Sequence, residues 1–410
     1  MDANEKRILT CTSAAHCLTH FFILVFPALV MPLSRDLSLP PERVIAISFG
    51  MYLVYGILAI PWGYLSDKYE PRTIMGAGLI LTGLGFAAAG QTESISRLPF
   101  CFLLVGAGCS AYHPSGLALI SKGIRQRGKA LGINGLFGNL GIAGAPVTAG
   151  ALCYLAGWQW TLLMLGALAV GMGILIMLTP CTFERGSDRQ KGTSIGGRQA
   201  AGLFAVLCGA MLFSGLLYRG YTIILPTFLE NKLPLLIASA KQWGIITFAA
   251  GADPTNADTL IATIITTVVY LIGMVGQLLG GKIADRADLR WGYLVFFACA
   301  LPFLLLMGVA QGPFLVITAG FFIFFSLGMQ PIENSLVAML TPPKWRGISY
   351  GIKFSIVFGA GSLSVWLVSR VQGQFGLDAI ILLLTIFLAL ILTMAGLLLF
   401  CSRGTPVRHQ

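Results

Sequence analysis

The chain has 410 residues, of which 56% are hydrophobic and only 10% charged, with a mean hydropathy of +0.82. Soluble domains carry about 25% charged residues, so this composition argues against a water-soluble enzyme and for a polytopic helical membrane protein. In a soluble chain the net charge of +11 would suggest nucleic acid; here the basic residues follow a membrane instead, and no nucleic-acid partner is expected.

Twelve apolar stretches read as spans: 10–33, 44–62, 74–92, 99–121, 130–155, 159–179, 200–229, 259–280, 291–310, 313–340, 348–369 and 378–401. The charged start Glu5-Lys6-Arg7 runs straight into a full-length first span, so no cleavable signal peptide is expected. With the N-terminus inside, the inner segments hold 19 of the 27 Lys and Arg residues and the outer segments 6, with Arg219 and Lys353 left inside spans. That bias predicts both termini in the cytoplasm of a bacterial inner-membrane protein. Residues 1–180 form one six-helix half, 181–199 a Gly-, Ser- and charge-rich cytoplasmic linker, and 200–410 a second half with a short tail. Between spans 7 and 8, residues 231–258 are long and partly apolar, and Trp243 suits an interfacial helix.

Two loops carry the same phrase. Residues 63–72 read GYLSDKYEPR and residues 281–290 read GKIADRADLR. Asp67 and Asp285 lie 218 residues apart, and the later pairs Arg127-Gly128 and Arg346-Gly347 lie 219 apart. The chain is therefore a tandem duplication, and two parallel halves around a central site is a common transporter plan. The phrase resembles the cytoplasmic loop signature of the major facilitator superfamily, between spans 2–3 and 8–9. Residues Gly63 to Tyr69, Gly106 to Pro114 and Gly138 to Gly141 are similar to its fosmidomycin-resistance exporter branch. The resemblance implies an all-α transporter working by alternating access, with spans 1, 4, 7 and 10 lining its cavity. It also implies a conformational latch built on Gly63, Asp67, Arg72, Gly281, Asp285, Arg286 and Arg290, with Asp67 paired to Arg72 and Asp285 to Arg286 or Arg290. A carboxylate at a positive helix end is favourable, and a solvated turn is the plainer reading.

Of sixteen acidic residues, only Glu333 lies in the interior of a predicted span; Asp378 stands at the edge of the last one. An ionised group at mid-membrane costs about 2.5–3.5 kcal/mol, so it needs a partner, water or a proton. Glu333 in span 10 and Lys353 in span 11 lie at similar depth, roughly 8–10 Å from one surface at 1.5 Å per residue, and are expected to pair. Glu333 then reads either as a proton carrier or as half of a structural ion pair. Arg219, inside span 7, is a candidate contact for an anionic solute, because guanidinium forks carboxylate or phosphate; reaching toward headgroups is its alternative. His16 and His20 share a face of span 1. His113-Pro114 in span 4 and Gln330-Pro331 in span 10 are repeat equivalents, 217 residues apart. Their prolines free local backbone carbonyls, so His20, His113 and Gln330 are candidate solute-binding residues, or else core polar groups bonded to neighbouring helices.

Span 5 holds Gly132, Gly135, Gly138, Gly141 and Gly144 before Pro146, resembling the exporter and antiporter motif but also suiting close helix packing. The nine cysteines show no Cys-x-x-Cys spacing, and neither a disulfide nor a metal is expected: His16 and His20 have no evident third ligand. No phosphate-binding loop occurs, so no cofactor is expected and an ion gradient must supply energy. The sequence thus predicts a monomeric, non-enzymatic carrier that moves a small, anionic or drug-like organic solute with H⁺. Export by antiport is the reading favoured here, with proton-linked uptake, or a non-transporting sensor or assembly factor, as alternatives.

Overall fold

The computed structural model describes residues 1–182, 198–243, 253–342 and 346–402, and all regular secondary structure among them is helical. The helices are α1 (Ala3–Asp36), α2 (Pro41–Lys68), α3 (Pro71–Gly90), α4 (Leu98–Gly123), α5 (Arg127–Leu178), α6 (Ala200–Lys232), α7 (Pro234–Gln242), α8 (Pro254–Ala284), α9 (Leu289–Met307), α10 (Gly312–Leu340), α11 (Ile348–Phe375) and α12 (Ala379–Cys401). Eleven of these are long and apolar enough to cross a membrane. α5 counts twice, because Gly157 at φ 80° and ψ 168° turns the chain between predicted spans 5 and 6, a conformation open to glycine without Cβ strain. All twelve predicted spans are therefore helical, and the protein is a multi-pass, all-α membrane protein. Of the expected linker 181–199, residues 183–197 lie outside the described residues, as does the side chain of Arg346. α7 occupies the segment expected to hold an interfacial helix, and Trp243 beyond it is 80% exposed.

Local sequence explains where the helices start. Asp2 and Glu5 form a capping box on α1, and Pro41, Pro71, Pro99 and Pro313 occupy the first turns of α2, α3, α4 and α10, where a missing N–H costs nothing. Small residues then set helix spacing. A Cβ on Gly76, Gly83 or Gly90 of α3 would lie 2.7, 2.5 and 2.7 Å from the carbonyls of Gly173, Gly166 and Gln159 in α5. This seven-residue seam lets two backbones touch, which in a bilayer replaces the hydrophobic drive. Gly276 and Gly280 of α8 do the same against Phe324 and Gly328 of α10, where an added Cβ would come within 2.0 and 1.7 Å of their carbonyls.

The described residues fall into two compact units. The first takes residues 1–187 together with Thr222–Thr267; the second takes 188–221 and 268–410. Thus the C-terminal part of α6, with α7 and the start of α8, packs with the first six predicted spans. Two contacts explain this. Arg35, at the end of α1, pairs with Glu230 of α6, whose other oxygen accepts a 2.8 Å hydrogen bond from Thr259 of α8. Glu230 is 8% exposed; the sequence puts it just past span 7, but the helix continues to Lys232, so Glu333 is not alone among buried helical acids. Farther along α8, the Thr267 hydroxyl donates to the Ala143 carbonyl at 2.8 Å and accepts from the Val147 amide at 3.2 Å. Those two groups, at i and i+4 beside Pro146, would otherwise bond each other, so Thr267 is spliced into the ladder where proline disturbs it.

Replacing Thr267 by Val removes both bonds and sets a methyl group where the hydroxyl had spread the two backbone groups apart, at a cost of about 1–3 kcal/mol. Thermal unfolding of purified protein should show Thr267→Val melting earlier and Thr267→Ser close to wild type. Equal melting of the Val variant and wild type would contradict the splice.

Candidate functional site

The repeated loops are built alike, though not with the expected pairing. Arg72 pairs with Glu70 at 3.0 Å and donates to the Thr179 carbonyl at the end of α5. Its repeat partner Arg290 pairs with Asp288 at 2.6 Å and donates to the Ser402 carbonyl at the end of α12, at 3.0 Å. Each arginine therefore ties the start of one helix to the last carbonyls of another in the same sequence half, a cation at a negative helix end. The expected Asp67–Arg72 pair is replaced: a non-helical Tyr69 separates the two residues, Glu70 sits closer to Arg72, and the 79%-exposed Asp67 side chain lies 3.6 Å from Lys122. Arg290 likewise takes Asp288 rather than Asp285, and that side-chain hydrogen bond holds the Asp288 carboxyl below the usual carboxylate range. A methyl on Gly63 would meet Pro114 at 3.5 Å, an ordinary contact, and one on Gly281 would meet nothing within 4 Å. Arg286 closes the α8 turn through its amide, 3.1 Å from the Ile283 carbonyl.

In the second unit, Glu333 and Lys353 meet as their depths in the sequence suggest. Lys353 Nζ lies 2.9 Å from Glu333 Oε1, with side-chain exposures of 6% and 2%. Glu333 Oε2 accepts from Tyr293 OH at 2.9 Å and from Ser214 Oγ at 3.2 Å. Lys353 also donates to Asn334 Oδ1 at 2.5 Å, and Tyr350 donates to the Asn334 carbonyl at 3.1 Å. Four helices thus supply one polar network in an apolar interior: α6 (Ser214), α9 (Tyr293), α10 (Glu333, Asn334) and α11 (Lys353). Directly after Lys353, α11 widens into a π-helical turn at Ser355–Gly359, a distortion that recurs at functional sites.

Arg219, 1% exposed, lies one turn beyond Gly215 on α6. A Cβ on Gly361 of α11 would come 2.9 Å from the Gly215 carbonyl and 3.7 Å from Arg219 Cβ, so the arginine sits where α6 and α11 cross. Its guanidinium carbon is 5.7 Å from the Tyr218 ring, within cation–π range. This burial argues against an arginine reaching to headgroups. Gln330 accepts from Gln277 of α8 at 2.7 Å. Just before Gln330-Pro331 the α10 helix is interrupted at Met329, and before His113-Pro114 α4 is interrupted at Ser110 and Ala111. Both halves therefore carry the local break expected from the two prolines.

In the first unit, three histidines converge. His16 and His20 of α1 approach to 3.1 Å between their Nε2 atoms, and His113 of α4 stands edge-on to both, with ring centroids 5.4 and 5.3 Å away. Tyr112 stacks on His16 at 4.7 Å and donates to Asn134 Oδ1 at 2.8 Å. The Asn134 carbonyl lies 2.8 Å from His16 Nδ1. Gly138 of α5 makes room: a methyl there would be 2.6 Å from the His16 ring.

Sequence reading alone missed Ser214, Tyr293 and Asn334 around Glu333, and Tyr112 and Asn134 around the histidines. Their one signal is a hydroxyl or amide within an apolar run, where a polar atom needs a partner.

The Major Facilitator Superfamily profile matches residues 11–252. The uncharacterized MFS-type transporter YfnC of Bacillus subtilis (strain 168) is 27% identical over 364 residues, which are 87% of this chain and 84% of that protein. The probable L-galactonate transporter of Escherichia coli (strain K12) is 24% identical over 242 residues, 54% of this chain and 53% of that protein. The chain thus spans about half the length of that relative. The crystal structure of a bacterial homolog to the human lysosomal transporter Spinster, inward-facing and occupied, superposes with a TM-score of 0.76 at 14% identity, over 99% of this chain and 100% of that one, a likeness of fold. The profile covers more than half of the chain, and with the twelve helical spans and paired loops it gives one conclusion: the chain belongs to the major facilitator superfamily of membrane transporters.

Proposed function

We propose that the protein moves a small organic anion together with a proton, with Glu333 carrying the proton and Arg219 meeting the anion. The observation that carries this reading is the buried Glu333–Lys353 pair. With both groups ionised the pair is neutral, which offsets the cost of about 2.5–3.5 kcal/mol that each charge meets at mid-membrane. Protonating Glu333 leaves Lys353 a buried cation without its counter-charge. An arriving anion restores neutrality, so proton and anion each favour the other, and that coupling is reciprocal. Tyr293 and Ser214 suit both states, since a hydroxyl donates to a carboxylate and accepts from a carboxylic acid. Asn334 holds the ammonium in either case. Arg219 supplies the planar donor fork that matches carboxylate or phosphate, and one relative is named for an organic anion, L-galactonate.

Proton and anion bound to the same state travel the same way. This supports proton-linked uptake over the export by antiport that the exporter-branch resemblance implies. Two of the five span-5 glycines have a packing account: a Cβ at Gly141 would lie 2.0 Å from the Cys17 carbonyl of α1, and Gly138 seats His16, while a methyl on Gly132, Gly135 or Gly144 would meet nothing within 4 Å.

Liposomes with a trapped pH dye test the reading against a panel of sugar acids and other small organic anions. Wild type should acidify the lumen when its anion is added outside. Glu333→Gln should still exchange labelled anion while losing the pH change; an intact pH change would remove Glu333 from coupling. Arg219→Ala removes charged hydrogen bonds worth about 1.5–3 kcal/mol, so its KM should rise roughly 10- to 100-fold. An unchanged KM would take Arg219 out of the site.

A further inference from the structure

We propose that His16, His20 and His113 bind one divalent first-row transition-metal ion, with Zn²⁺ as the fitting class. In the sequence the i,i+4 histidines of α1 lack a third ligand; the fold brings His113 to them from α4. One ring nitrogen from each of the three can be chosen so that all lie within 4.8 Å of one another. Tetrahedral bonds of about 2.0–2.1 Å place ligand nitrogens about 3.4 Å apart. His16 and His20 are already at 3.1 Å, and the widest separation of 4.8 Å needs about 1.4 Å of closure, within reach of ring rotation.

The support around His16 is what such a ligand requires. A carbonyl oxygen only accepts, so the 2.8 Å contact with Asn134 puts the His16 proton on Nδ1 and the lone pair on Nε2. Nε2 is the atom that faces His20. An Nδ1–H donating to a backbone carbonyl is the usual outer contact that orients a metal-binding imidazole. Tyr112 and Gly138 hold that ring from two sides. As the rings stand, His20 donates its Nε2–H to His16; moving that proton to Nδ1 frees Nε2 as a ligand with no net change in protonation. His20 and His113 are 8% and 7% exposed, so the ion would be held away from bulk solvent. Three neutral imidazoles leave the dication two positive charges and one open position, for water or an anionic group. The three histidines belong to the first unit and Glu333 and Lys353 to the second, and the occupancy of the histidine site rests on none of the coupling argument.

The test uses untagged, full-length protein in detergent, titrated with Co²⁺ while its visible ligand-field band is followed, with Zn²⁺ as competitor. One saturable equivalent, displaced by Zn²⁺ and with a tetrahedral nitrogen-type band, is the expected result. His20→Gln and His113→Gln should each weaken binding at least tenfold, and His409→Gln, the fourth histidine, should leave it unchanged. Gly138→Ala, which presses a methyl on the His16 ring, should weaken it roughly 10- to 100-fold as loss of a supporting contact does. Zn²⁺ should raise the melting temperature of wild type and not of His113→Gln; melting of each variant without metal reports its folding. The proposal is overturned by no saturable Co²⁺ or Zn²⁺ binding up to about 1 mM, by a thiolate charge-transfer band, or by binding that both triad variants leave untouched.

Discussion

A charge within the bilayer must be matched, and the second unit is organised around that requirement. Glu333 and Lys353 are both buried, 2.9 Å apart, and Ser214, Tyr293 and Asn334 reach them from three helices. Removing one partner from such a pair is far more costly than removing both, because the remaining charge has no water to turn to. A carrier can exploit that asymmetry. In the coupling proposed above, a proton cancels the carboxylate and a solute anion replaces it beside the ammonium, so that stability and coupling would draw on the same two side chains.

The rest of the fold serves to bring polar atoms together without leaving backbone groups bare. Prolines break α4 beside His113 and α10 beside Gln330, and in α5 the break at Pro146 is filled by the Thr267 hydroxyl. Glycine seams between α3 and α5, and between α8 and α10, allow backbones to touch, so that side chains from several helices reach one point. The repeated arginines Arg72 and Arg290 secure helix ends by donating to Thr179 and Ser402. The duplicated loop phrase therefore has a structural meaning within each sequence half, beyond any latch.

Much of this was legible in the chain itself. Twelve spans follow from apolar length, because a helix must satisfy its own backbone in lipid. The Glu333–Lys353 pair follows from matched depth on neighbouring spans. What escaped was lateral: which faces of distant helices meet. His113 joins His16 and His20 only through the crossing of α1 and α4, and Tyr293 reaches Glu333 from forty residues away. The Asp67–Arg72 expectation failed for a local reason, since the helix ends at Tyr69 and Glu70 lies nearer the guanidinium. Glu230 lies past the apolar stretch in the sequence, and its burial comes from contacts with distant helices, Arg35 of α1 and Thr259 of α8.

The central claim is that anion binding and protonation of Glu333 are one event. Infrared difference spectroscopy on the purified protein, recorded as the transported anion is added, reads that event directly. The account predicts a new protonated-carboxyl band on anion binding, shifted in D₂O and absent from Glu333→Gln. Anion binding that saturates with no such band, or a band that persists in Glu333→Gln, would contradict it.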